Sequence, residues 1–299
     1  METSKPLLLA VVGPTAIGKT VKAIELAEHF KTEIISADSR QFYKEMQIGT
    51  AVPSKDELAR AKHHFIQHIS IETNYTVGDF ERDALAKLTE MFKDRSVVIL
   101  VGGSGLYINA VLDGLDQFPE VDTNIRIELN RRYQEEGINY LQEQLQQLDP
   151  DYYGQVDLQN PHRLIRALEI CLATGKPYSG FRKQQKAKRD FDIAMIGLEA
   201  EREVVYDRIN RRVDIMMSEG LLDEAKKLYP FNELNALQTV GYKELFKYLD
   251  GQWDLPFAVE EIKKNSRRFA KRQFTWFKKD PRIMWFDYQT ETTDIISQL

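Results

Sequence analysis

LLLAVVGPTAIGKTVKAIELAEHF, residues 7–30, decides the reading of this chain. Its first six residues are an unbroken apolar run, expected of a parallel strand buried on both faces. GPTAIGKT (13–20) follows, and in the next ten residues Ala23, Ile24, Leu26, Ala27 and Phe30 recur at helical spacing. A strand, a glycine loop and a helix in that order are the context in which G-x-x-x-x-G-K-[ST] signals a phosphate loop rather than an ordinary turn. Gly13 and Gly18 let backbone N–H groups turn toward phosphate oxygens, and the path between them runs through Pro14, Thr15, Ala16 and Ile17. The helix N-terminus adds partial positive charge, Lys19 neutralises, and the Thr20 hydroxyl is a candidate ligand for Mg2+.

Outward from the loop, EIISA (33–37) reads as a second strand ending at Asp38, and VVILVGG (97–103) as a third, followed by a helix in SGLYINAVLDGL. IAMIGL (193–198) reads as a further strand. Strands alternating with helices imply an α/β fold, a P-loop-containing parallel sheet with helices on both faces. Between 117 and 190 the strand signal stops. IRIELNRRYQEEG, INYLQEQLQQL and HRLIRALEICLATG read as a helical insertion domain, bounded by DQFPEVDTN and the charged KQQKAKRD. The expected division is a core of 1–116 with 191–299 and an insertion of 117–190. After residue 198 the chain reads as helical almost to its end.

At 299 residues, 42% hydrophobic and 29% charged with one cysteine, the chain is expected to be soluble and globular, which excludes a collagen, a disordered tail or a disulfide scaffold. No apolar run approaches the roughly 20 residues that span a bilayer, and METSKPLLLAVV lacks the layout of a signal peptide, so a cytoplasmic setting is expected. Cys171 reads as a packed thiol. The net charge of −5 is uneven: residues 160–190 hold eight Lys/Arg against two acids, and 262–282 hold nine against one. A mildly acidic protein with two strongly basic segments points to a polyanionic partner.

A phosphate loop alone does not specify ATP chemistry. P-loop NTPases end another core strand in an Asp that supports magnesium, whereas VVILVGGSG closes on glycines and a serine. Asp38 follows its strand to the carboxyl edge of the sheet, where the phosphate loop also lies. A carboxylate there can accept a proton or assist a metal, and it can equally cap a turn. Gly102, Gly103, Ser104 and Gly105 form a second glycine-rich turn, open to close approach of a ligand or to tight helix packing.

The chain resembles the bacterial-type tRNA dimethylallyltransferase (tRNA isopentenyltransferase) family along nearly its whole length. The matching stretches are GPTAIGKT (13–20), ISADSRQFYKEMQIGTAVPS (35–54), HHFIQHISIETNYTVGDF (63–80), VGGSGLYINAVLDGL (101–115), NPHRLIRALEI (160–170), RVDIMMSEGLLDEA (212–225) and LQTVGYKEL (237–245). The resemblance implies transfer of a dimethylallyl group from dimethylallyl diphosphate to N6 of adenosine at tRNA position 37, beside the anticodon, with magnesium. It implies that residues 13–20 hold the isoprenoid diphosphate rather than ATP, that Asp38 is the general base, and that Lys19 and Arg212 act on the departing diphosphate. Ser39, Arg40 and Gln41 are implied at the target nucleotide. Ser104 stands where the family more often has Thr, with the hydroxyl retained, and Arg126 is placed at tRNA from a poorly matching stretch. His162, Arg163, Leu164, Ile165 and Arg166, with Gln238, Thr239, Val240, Gly241, Tyr242 and Lys243, are implied to hold the anticodon stem-loop. The expected protein is a monomer with no membrane partner.

This chemistry suits the residues. The exocyclic amine of adenine is a poor nucleophile, so a carboxylate accepting its proton as the C–N bond forms would help, and diphosphate departure builds charge that cations stabilise. In KKNSRRFAKRQFTWFKK, Arg268 and Arg272 are spaced i, i+4, as are Arg267 and Lys271, while Phe269, Gln273 and Trp276 share another stripe. The cationic faces are expected to follow RNA phosphates and the aromatic stripe to bind core, the alternative being a solvated amphipathic helix. Lys183, Lys186, Lys188 and Arg189 read as a basic loop. His63, His64 and His68 are not expected to form a zinc site, since no cysteine joins them, and Met216 and Met217 read as core filling. Rival readings are an isopentenyltransferase acting on free adenine nucleotides, a P-loop small-molecule kinase and a catalytically silent RNA-binding protein.

Overall fold

The structure is a computed structural model describing residues 5–116, 118–182 and 186–299. Met1 to Ser4 at the N-terminus, Gln117 at the edge of the insertion and Lys183 of the basic loop lie outside the described residues. The strands are β1 (Leu7–Val12), β2 (Ile34–Ser36), β3 (His63–His64), β4 (Val97–Gly102), β5 (Asp192–Glu199) and β6 (Ile283–Asp287). The helices are α1 (Lys19–Phe30), α2 (Lys55–Arg60), α3 (Val77–Met91), α4 (Gly105–Asp113), α5 (Thr123–Glu136), α6 (Ile138–Leu148), α7 (Pro150–Tyr153), α8 (Pro161–Thr174), α9 (Arg202–Ser218), α10 (Leu221–Leu228), α11 (Tyr242–Leu249), α12 (Leu255–Phe277) and α13 (Thr292–Ile296).

The strands form one parallel sheet in the order β3-β2-β4-β1-β5-β6, with β1 in register between Val97–Gly102 and Asp192–Gly197. Alternation sorts the central strands between two cores. Leu8, Ala10, Val12, Val98 and Leu100 pack with α3 and α4 on one face, and Leu9, Val11, Ile99 and Val101 pack with α1 and α9 on the other. A third core joins Val213 of α9, Leu221 and Ala225 of α10, Tyr242 and Leu245 of α11 and Ile262 of α12 to Tyr43 and Met46. The strand β6 corrects the expectation of helix almost to the end. IMWFD is five residues long and follows a charged, proline-containing turn, so the strand is specified by pairing with β5 rather than by local pattern.

Two compact units are present, Met1–Asp113 with Lys188–Leu299, and Gly114–Ala187. The second is helical, built on Leu129, Leu141, Leu145, Tyr152, Leu164, Ile165 and Leu168. Its limits lie three residues before those expected at each end. On the far side Arg189 is the reason: Nε donates to the Val111 carbonyl at 2.9 Å, and the guanidinium binds the Ala110 carbonyl and Glu81. Arg189 is therefore a fixed anchor of the sheet unit, not part of a basic loop, while Lys188 is exposed. Among the described residues no helix is long and apolar enough to cross a membrane.

Under the site edge of the sheet lies an aromatic cluster. Phe80, fully buried, stacks on Phe42 with ring centroids 5.1 Å apart and meets Phe65 and Tyr107. Phe80→Ala is expected to destabilise the protein by about 3–5 kcal/mol in urea denaturation. A loss of under about 1 kcal/mol would mean that these rings are not packed together.

Candidate active site

The loop is shaped by where the chain leaves β1. Gly13 has φ +146°, and a Cβ there would lie 2.7 Å from the Leu198 carbonyl oxygen of the adjacent strand, so only glycine makes this exit. Ala16 sits in the left-handed region with φ +65°, a cost of about 1–3 kcal/mol that surrounding structure must offset. Arg208 of α9 does so from outside, donating from Nε to the Ala16 carbonyl at 2.7 Å. Gly18 caps α1 with no side-chain hydrogen bond, which leaves first-turn N–H groups and the positive end of the helix for an anion. Lys19 Nζ donates to the Pro14 carbonyl at 2.7 Å, and the Thr15 N–H donates to Gln273 Oε1 at 2.8 Å.

A cavity of about 810 Å³ opens beside the loop. Thr15 borders it from the loop, Asp38, Ser39 and Arg40 from the end of β2, and Gly103, Ser104, Gly105 and Tyr107 from the turn into α4. Arg212 and Met216 of α9 contribute, as do Gln238, Thr239, Val240, Gly241 and Lys243 around the start of α11, and Phe269, Arg272 and Trp276 of α12. Ser104 joins two walls: its Oγ lies 3.2 Å from Ser39 Oγ and accepts from the Ser39 N–H at 3.3 Å.

The electrostatics centre on Asp38. Burial pushes its carboxyl above the ordinary carboxylate range, more than the Arg40 N–H and the Lys19 and Arg40 charges pull it down. Asp38 Oδ1 accepts the Arg40 N–H at 3.1 Å as a turn cap, and the residue also borders the cavity. Burial draws Lys19 down to about 8, against the Asp38 charge that raises it and with the Arg212 charge that lowers it further. Arg212 is lowered by burial and by Arg208 and raised by Asp38. Two cations and a carboxylate thus converge in a poorly solvated place beside the loop. For magnesium, the chemistry fits hard oxygen donors: the Thr20 hydroxyl opens α1 and Asp38 supplies a carboxylate, and Mg2+ characteristically takes one or two protein oxygens plus substrate phosphates. Among the described residues no cluster of three or more His, Cys, Asp or Glu could form an all-protein metal cage.

Several expected contacts are redirected. Gln41 binds the Thr50 and Ala51 carbonyls, at 3.2 and 3.0 Å, and so buttresses a wall rather than facing the cavity. Tyr242 is fully buried and donates from its hydroxyl to Glu224, so its side chain serves the third core and not an RNA surface. Leu164 and Ile165 are core of the helical unit, for the same reason. In that unit Arg126 is paired bidentately with the buried Glu169, Arg166 lies over the Phe118 ring, and His162 and Arg163 are exposed. On α12 the aromatic stripe splits: Gln273 is buried, but Phe269 and Trp276 are 39% and 41% exposed and border the cavity. Met216 borders it too, rather than only filling core. Arg268 is exposed beyond the cavity lining, its guanidinium 3.3 Å from Asn265 Oδ1. His63 and His64 form β3, His64 binding Glu33 at 2.6 Å, and His68 packs edge-on against Phe42, Phe65 and Tyr75.

Sequence reasoning missed Arg208 and the exposure of Phe269 and Trp276 on the stripe expected to bind core. The signal for Arg208 was its spacing, one helical turn before Arg212.

The IPP transferase family model matches residues 41–280. The chain belongs to the IPP transferase family. The family match begins after the phosphate loop and Asp38, while full-length relatives extend over nearly the whole chain. A tRNA dimethylallyltransferase of Christiangramia forsetii is 61% identical across 98% of this chain and 97% of its own. One from Bacteroides thetaiotaomicron is 51% identical across 96% and 93%. Among solved structures, the tRNA isopentenylpyrophosphate transferase of Bacillus halodurans superposes with a TM-score of 0.72 at 40% identity, covering 98% of this chain and 94% of that one. A eukaryotic dimethylallyltransferase acting on tRNA gives 0.78 at 26% identity, covering 95% and 74%.

For this IPP transferase, competitive labelling of Lys19 with acetic anhydride is expected to titrate near pH 8 in wild type, the neutral amine reacting above that pH. In Asp38→Asn the midpoint is expected to fall further, because the carboxylate holds the ammonium form in place. An unperturbed lysine midpoint near 10.5 would separate Lys19 from the buried cluster.

Proposed function

We propose that this enzyme transfers the dimethylallyl group of dimethylallyl diphosphate to N6 of adenosine at position 37 of tRNA, acting as a cytoplasmic monomer. The observation carrying the reading is that Asp38 borders one cavity together with the phosphate loop on one side and the exposed Phe269, Arg272 and Trp276 on another. One wall suits an anionic leaving group and the other a nucleic acid.

The reaction forms the bond from N6 to C1 of the isoprenoid and breaks the C1–O bond, whose electron pair leaves with diphosphate. Asp38 takes the N6 proton. Its raised affinity for a proton makes it a better acceptor than an ordinary carboxylate while it is ionised. Lys19, Arg212 and the loop N–H groups stabilise the diphosphate charge in a site with little water. Thr20 would hold Mg2+, which when bound would supply charge neutralisation to the diphosphate. Adenosine 37 must be unstacked to reach Asp38, and an unpaired anticodon-loop base makes this cheaper than extrusion from a duplex. Ser39, Ser104, Gln238, Thr239, Val240, Gly241 and Lys243 border the cavity where that nucleotide enters, and Phe269 and Trp276 offer stacking surfaces for its neighbours. The exposed His162 and Arg163 are proposed contacts of the helical unit with the anticodon stem-loop.

The deciding experiment supplies labelled dimethylallyl diphosphate and Mg2+ with either unmodified tRNA or AMP. Label is expected on tRNA, and label on AMP alone would replace this reading with the free-nucleotide one. Asp38→Ala is expected to keep tRNA affinity within about twofold while turnover drops by about 10²–10⁴. Parallel loss of binding and turnover would remove the general-base role.

Arg268→Ala with Arg272→Ala is expected to weaken tRNA binding and to flatten the log–log salt dependence by about 1–2 units. A wild-type slope in the double variant would take α12 off the RNA surface.

A further inference from the structure

A buried primary amide must satisfy both of its ends, and Gln273 does so across two loops that border the cavity. Its side chain, 7% exposed, accepts the Thr15 N–H through Oε1 at 2.8 Å and donates from Nε2 to the Gly103 carbonyl at 2.9 Å. We propose that Gln273 is a positioning residue for the leaving diphosphate, splinting the phosphate loop to the second glycine turn and fixing both to the helix that faces RNA.

The geometry makes the three parts mutually dependent. A Cβ at Gly103 would lie 2.3 Å from Gln273 Nε2, so any side chain there would push the amide out of its present position. The same position is 3.7 Å from Lys19 Nζ, which brings the second turn up against the cation of the loop. The Thr15 N–H is committed to Gln273, so this amide sets the start of the loop while the N–H groups after it are left to the anion. No other side chain of this length supplies an acceptor and a donor from one carbon: Glu lacks the donor, and Leu or Met lacks both. On the same side of α12, Phe269, Arg272 and Trp276 border the cavity that Gln273 also lines. A single helix therefore presents its outer residues to nucleic acid and holds the donor site with its inner one.

The inference rests on reading residues 13–20 as a diphosphate site, and it is tested on binding rather than turnover. Gln273→Met keeps length and volume and removes both hydrogen bonds. In isothermal titration with inorganic pyrophosphate and Mg2+, its affinity is expected to fall by about 10–100-fold. KM for dimethylallyl diphosphate is expected to rise in proportion, with tRNA affinity within about threefold of wild type. Gln273→Glu keeps the acceptor and the shape and loses the donor to Gly103; should the Met variant not fold, the same fall in pyrophosphate affinity is expected from it. Pyrophosphate affinity within twofold of wild type in a folded variant overturns the proposal. So does a matching loss of tRNA affinity, which would mean general damage to α12, and so does a wild-type protein that does not bind pyrophosphate. A wild type that binds pyrophosphate but labels no tRNA would instead refute the proposed function and leave the role of Gln273 standing.

Discussion

The exit of the chain from β1 at Gly13 is the constraint on which the rest of the structure depends. A central strand buried on both faces cannot bend gradually away from its neighbours, because each residue is held by two ladders of parallel hydrogen bonds. The turn must be made in one residue, beneath the Leu198 carbonyl, in a conformation that L side chains avoid. Once made, it places the next amides at the carboxyl edge of the sheet and points α1 back along it. The loop so formed is strained at Ala16 and rich in polar groups, and its supports arrive from far along the chain, Arg208 from α9 and Gln273 from α12. The first twenty residues carry the anion-binding pattern, but their shape is completed by helices some two hundred residues later.

Such a loop also sets the electrostatic character of the site. Lys19 and Arg212 are held in poor contact with water and close enough to disfavour one another, and the carboxylate that acts on both, Asp38, is itself disfavoured as an anion by burial. A multivalent anion beside the loop would relieve the repulsion between the cations, and Asp38 borders the same cavity. The same poor solvation disfavours water as a competing acceptor of the transferred group, which a transferase must achieve and a hydrolase need not.

The sheet and the loop were legible because their signals are local: apolar runs in β1, β4 and β5, the glycine spacing, and the helical periodicity of α1. Asp38 was legible from its place at a strand end. What could not be read was direction and pairing. Nothing local distinguishes the inward Gln273 from the outward Phe269 and Trp276 on one stripe, because α12 lies between a core and a cavity and the boundary is set by its partners. Leu164, Ile165 and Tyr242 fall inside motifs that carry function elsewhere, yet their side chains serve cores, which motif matching does not separate from contact. β6 was missed because pairing with β5, and not composition, makes it a strand.

Counting charge along the sequence overstated the polycationic surface for a related reason. Of the basic residues in 262–282, Lys263 is paired with Asp214, Lys278 with Glu199 and Arg282 with Asp113, at 2.7–2.8 Å, and Arg267 is bonded to Asn210. These contacts fasten α12 and the turn after it to α9, β5 and α4, and the exposed cations outside these pairings include Arg268, Lys271, Arg272 and Lys279. A short cluster beside a cavity is the better device for an acidic protein. The repulsion from a net negative surface is screened within about 10 Å at ordinary salt, whereas a phosphate brought to the cluster sits inside that distance. Net charge therefore says little about whether this fold binds nucleic acid; the placement of a few cations relative to the cavity decides it.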